Sequence, residues 1–142
     1  MKQHRIILNT VLLVLALGIL TQQFAQEPST DNEKTDLHHT LGMGLVRTVN
    51  TAEMVERISY GSYSAWPTLL AHQQKKFDQW LGMQGLNVRL GDIPDIFPGW
   101  KLRLNVHPDG QGYDLRLQDT ISKNWAAFSD EGGVIWVALP LQ

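Results

Sequence analysis

Residues 101–119 read KLRLNVHPDGQGYDLRLQD. Two alternating runs flank a centre of Pro, Asp and Gly. In the first run, Leu102, Leu104 and Val106 fall on one side, and Lys101, Arg103, Asn105 and His107 on the other. In the second, Tyr113, Leu115 and Leu117 share a side against Asp114, Arg116 and Gln118. A period of two marks a strand with one buried and one wet face. PDGQG supplies turn chemistry, so the stretch predicts an antiparallel hairpin. Two registers keep the apolar faces together. One opposes Arg103 to Arg116. The other opposes His107 to Asp114 and Asn105 to Arg116. Like charges directly opposite destabilise a cross-strand pair, and opposite charges help by roughly 0.2–1 kcal/mol. The second register is therefore expected.

Downstream, Trp125–Ser129 (WAAFS), the turn DEGG and Val134–Leu139 (VIWVAL) predict two further strands. VIWVAL is apolar on both faces, which predicts a well-covered strand with a helix on one side. Upstream, residues 82–100 are rich in Gly and Pro, with a short strand expected over Leu86–Leu90. Pro67 can open a helix over Thr68–Leu81, packed by Leu69, Leu70, Phe77, Trp80 and Leu81. Farther upstream, Leu37, Leu41, Leu45, Val49, Ala52 and Val55 recur three or four apart, with Val46 and Ile58 on the flank. Arg47, Asn50, Glu53 and Arg57 occupy the opposite side. This is an amphipathic helix of about 20 residues with one buried stripe. Asp36 suits its N-cap and Gly61 its C-terminal stop. Gly42 and Gly44 weaken its middle, or let another element come close. The expected fold class is α+β: a long N-terminal amphipathic helix packed on a C-terminal antiparallel β-meander of three to four strands.

Bulk properties narrow the function classes. The chain has 142 residues, 43% hydrophobic and 18% charged, with a formal net charge of −2. That suits one globular domain, and no basic patch points to nucleic acid. There is no cysteine, so disulfides and zinc–thiolate sites are excluded. Lys2, His4 and Arg5 precede an apolar run, Ile6–Leu20. This reads as an export segment, with residues 1–25 forming a signal peptide or an uncleaved anchor. Anchoring in a membrane would run through residues 6–20. Residues 26–35 (QEPSTDNEKT) read as a polar linker and residues 36–142 as the globular domain.

GLVRTVNTAEMVERISYGSY, then GYDLRLQ, then FSDEGGVIW, lie in order within roughly residues 41–136. This series resembles type IV pilins and type II secretion pseudopilins. There, a helical Arg-Thr-Asn-Thr-Ala stretch leads into a tyrosine–glycine turn. The ending is a Gly-Tyr strand followed by Phe-x-Asp-x-x-Gly-Val-Ile. The resemblance implies a pilin-like globular domain in the cell envelope, non-enzymatic and in contact with pilin or secretion components. The usual prepilin leader is not matched, and the family's assembly glutamate has no corresponding position. The implied object is the outward-facing half of a pilin behind an ordinary export signal, in the periplasm or envelope.

Other constellations carry less. His38 and His39 are adjacent on a helix, so their rings should diverge by about 100° and not share a metal. Asp119, Asp130 and Glu131 are the right types for calcium but read as plain turn residues. Ser129, His107 and Asp114 are triad types without a nucleophile elbow. No catalytic set, cofactor or metal is expected. Trp66 and Trp100 stand in loops beside Pro or Gly and are expected to be exposed. With Tyr60 and Tyr63 they are the candidate partner or ligand contacts. The alternative function is a periplasmic ligand- or glycan-binding module using the loop tryptophans.

Overall fold

The computed structural model describes residues 30–139. The expected export segment, and residues 26–29 of the expected linker, lie outside them. The chain divides into two units, Met1–Lys34 and Thr35–Gln142, and the second carries the fold. It is α+β, with two helices followed by a five-stranded antiparallel sheet. The strands are β1 (Asp95–Phe97), β2 (Trp100–Val106), β3 (Tyr113–Asp119), β4 (Ala126–Asp130) and β5 (Ile135–Ala138), in spatial order β1-β2-β3-β4-β5. The expected three to four strands are thus five. The extra one is β1, and residues 86–90 form no strand. No described helix is long and apolar enough to cross a membrane.

Helix α1 spans Thr30–Tyr60. It starts before Asp36, so Asp36 is not its N-cap. No Pro or Gly interrupts residues 30–41, and nothing there stops a helix from forming. It ends where expected, at Gly61, whose φ of +81° suits glycine and whose N–H bonds Arg57 O at 3.0 Å. Leu45, Val49 and Ala52 are fully buried, Leu41 partly, and Leu37 is 72% exposed.

Val46, Glu53 and Glu56 are also fully buried, against the expectation of an exposed face for Glu53. The cause is helix α2 (Trp66–Met83), which packs on a second side of α1. The Trp80 ring lies against Gly44, and the loop before α2 reaches Glu53. One stripe therefore faces the sheet and a second faces α2. As expected, Pro67 sits in the first turn of α2, and Leu69, Phe77, Trp80 and Leu81 are buried.

The glycine at position 42 admits a close approach. A β-carbon there would lie 2.7 Å from Trp100 Cζ3 and 2.9 Å from Trp125 Cη2. Only a bare backbone lets two indoles sit against the helix.

The hairpin takes the register that charge reasoning rejects. Arg103 faces Arg116, Asn105 faces Asp114, and Leu104 faces Leu115. Turn geometry decides this. Gly110 N–H bonds His107 O at 2.8 Å, closing a turn with Pro108 and Asp109 at its centre, and Gly110 has φ +67°. His107 N–H then bonds Gly112 O at 2.9 Å. A turn built on Pro-Asp-Gly fixes which residues come opposite, and a cross-strand charge term below about 1 kcal/mol does not move it. The His107–Asp114 contact survives as a diagonal one at 3.3 Å.

Strand β5 departs most from expectation. It is an edge strand, with Val134, Trp136, Val137 and Leu139 exposed by 54, 50, 43 and 67%. A run apolar on both faces reads the same whether it is covered or left at an edge.

Candidate functional site

The four expected contact residues divide into two pairs. Trp66 and Trp100 are each 1% exposed, which corrects the reading of them as surface residues. Trp66 begins α2, tilts against Phe77, and donates its indole N–H to Gly91 O at 3.0 Å. Trp100 begins β2 and fills the space left by Gly42. Neighbouring Pro or Gly bends the backbone but does not aim a side chain outward. Tyr60, the last residue of α1, is 63% exposed, with its ring 5.0 Å from that of His72. Tyr63 is half-buried, edge-on to Tyr113, and lines a hollow of about 260 Å3 with Met54 and Glu131.

His38 and His39 converge after all. Their Nε2 atoms lie 3.3 and 3.8 Å from the two oxygens of Asp119, which is fully buried. The rings meet one carboxylate because each is held by a different indole. His38 stacks on Trp100 at 4.4 Å and His39 on Trp125 at 5.2 Å. Burial alone would raise the Asp119 carboxyl. The Ser122 hydroxyl, the backbone N–H groups of Ile121 and Ser122, and His38 outweigh it and hold Asp119 below the usual range. The cluster ties the front of α1 to the end of β3.

Two buried glutamates tie the back of α1 to α2. Glu56 accepts from Ser64 Oγ and Gln73 Nε2 and meets His72 Nδ1 at 2.9 Å. Burial works to raise it, but these three partners bring it below its ordinary value. Glu53 accepts only the Ser64 N–H, at 2.9 Å, and its Oε1 has no partner. Burial, with Glu56 nearby, pushes it up to about 7.

Ser129, His107 and Asp114 do not form a site. Ser129 faces the core opposite Leu115, accepts from Asn50 Nδ2 at 2.7 Å and donates to Val134 O at 2.8 Å. Asp114 lies on the opposite face of the sheet. The Tyr113 hydroxyl donates to Asn50 Oδ1 at 3.0 Å, completing a polar chain from helix to sheet. Asp119 stands at the far end of β3 from the turn residues Asp130 and Glu131, so the three acids are not brought together.

Among the described residues, the outer sheet face and the β5 edge are also accessible. One row crosses four strands there: Arg103 opposite Arg116, Arg116 opposite Phe128, and Phe128 opposite Trp136. The Arg116 guanidinium sits 5.5 Å from the Phe128 ring centroid. The row floors an open hollow of about 290 Å3, with Asn105, Asp114 and Asp130 alongside. Sequence reasoning meets these arginines only as a pairing to avoid, and it does not single out Trp136. Comparison with protein-family models, characterised proteins and solved structures found no match to this chain.

Proposed function

We propose that this chain is an exported, non-enzymatic, pilin-like envelope protein that works by protein–protein contact through the free edge of β5. The supporting observation is that edge. Trp136 and Val137 on β5, and Val134 and Leu139 flanking it, stay exposed, and no described strand pairs with the outer side of β5. An edge that is both apolar and unpaired is a template for a partner's strand, and soluble proteins usually blunt such edges with charge or proline. Here β5 carries neither. The shape of the fold also supports the pilin-like reading, because a long helix lies along an antiparallel meander. The partners are envelope proteins, with pilin or type II secretion components first among them.

The test uses the full chain expressed in its own host, recovered from the envelope with and without the paired change Val137→Lys and Leu139→Lys. The wild-type chain is expected to bring down pilus or secretion components, and the lysine variant to lose them while keeping its thermal midpoint. Recovery unaffected by the lysines would move the contact elsewhere. Absence of such components from the wild-type sample would end the reading.

A further inference from the structure

The row Arg103–Arg116–Phe128–Trp136 contradicts local energetics. Two arginines stand directly opposite on neighbouring strands, where like charges destabilise the pairing. Neither forms an ion pair among the described residues. Lys101 beside them is paired to Asp95 at 3.7 Å, and His107 meets Asp114 at 3.3 Å. The two arginines thus have no acidic partner while their neighbours do; Arg116 has only Gln118 Oε1, at 3.4 Å, and the Phe128 ring. A sequence that breaks a local rule without a local gain commonly does so where it binds something.

We propose that the outer face of the sheet binds an acidic sugar, a pyranose carrying a ring carboxylate, as found in uronic-acid polymers. Each part of the hollow matches part of such a ligand. Two arginines directly opposite on neighbouring strands line the hollow and can offer N–H donors to one carboxylate, a pairing in which arginine is strong. Arg116 is steadied by the Phe128 ring beneath it, which lowers the entropy lost on binding. Trp136, 50% exposed next along the row, offers a flat face to the C–H side of a sugar ring. Asn105, Asp114 and Asp130 border the hollow and can accept hydrogen bonds from ring hydroxyls. The same two aspartates disfavour a polyphosphate or nucleic acid, whose dense negative charge they would repel. A single carboxylate on a hydroxylated ring satisfies both signs of charge. The hollow, about 290 Å3, is of a size for one or two such rings.

The site shares Trp136 with the β5 strand, yet the two proposals can fail separately, because this test uses the purified full-length chain with no protein partner. Calorimetric titration with tri-galacturonic acid is the probe, and neutral galactotriose is its control. Binding of the acidic sugar is expected at least about tenfold tighter than the neutral one, weakening as salt is raised. Arg116→Ala and, separately, Arg103→Ala should each weaken it by about tenfold or more, with thermal midpoints unchanged. Lys101→Ala, on the same face but already paired, should leave it unaltered. Equal affinity for both sugars, indifference to both arginine changes, or no heat with the acidic sugar would each overturn the proposal.

Discussion

At the scale of single residues, Glu53 is the most consequential side chain in the structure. It is fully buried on the side of α1 that the helical period marks as polar, and burial lifts it from 4.5 to about 7. The folded state therefore holds a proton there that the unfolded chain has released. Its contribution is complete below pH 4.5 and is lost as pH rises through about 7. At about 1.4 kcal/mol per pH unit, that loss is on the order of 3 kcal/mol. Glu56 and Asp119 act in the opposite sense. Their partners hold both below their ordinary values, so their contributions are present at neutral pH and fade only as acid protonates them. Chemical denaturation across pH should show stability falling from pH 4.5 to 7, and Glu53→Gln should flatten that slope. A wild-type profile that rises over the same range would mean that Glu53 is ionised inside the fold. Position 42 gives a second residue-scale prediction. Alanine is the better helix former by roughly 1 kcal/mol, yet Gly42→Ala should destabilise by about 1–3 kcal/mol because its methyl meets two indoles. Gly82→Ala, with open space around it, should be neutral or slightly stabilising by the same denaturation assay.

At the scale of elements, the hairpin, both helices and the DEGG turn were legible, because a period of two or of three to four is a local property. Alternation at Leu102, Leu104, Leu115 and Leu117 points to the face that is buried. The register was not legible from charge, because the turn through Gly110 sets it before Arg103 and Arg116 meet. Nor was the second buried side of α1 visible, since it exists only because α2 folds back through Gly44 and Ser64. The convergence of His38 and His39 on Asp119 depends likewise on two indoles far along the chain. Part of the outer-face row was on view in the sequence as the rejected Arg–Arg pairing. The stripe on α1 can be tested by contrast. Val49→Asp should cost several kcal/mol through a charge buried without a partner. Leu37→Asp, on a side chain 72% exposed, should stay within about 0.5 kcal/mol. Equal thermal shifts for the two would defeat the helix-on-sheet arrangement.

At the scale of the whole molecule, polar ties at both ends of α1 clamp the helix to its surroundings. The His38–His39–Asp119 cluster holds one end and the Glu53–Glu56 pair the other, with the Asn50–Tyr113–Ser129 chain between. The helix side of the sheet is thereby committed to the core. The outer face and the β5 edge are left for contact, and they differ in chemistry: charged and aromatic on the face, apolar at the edge. Docking at that edge is the proposed function. It is tested most directly by placing a photo-crosslinking amino acid at Val137 in the native host, with Lys75 on the exposed side of α2 as control. Adducts to pilus or type II secretion components from position 137, and few from position 75, are the expected result. Equal labelling from both positions, or adducts to none of those components, would contradict it.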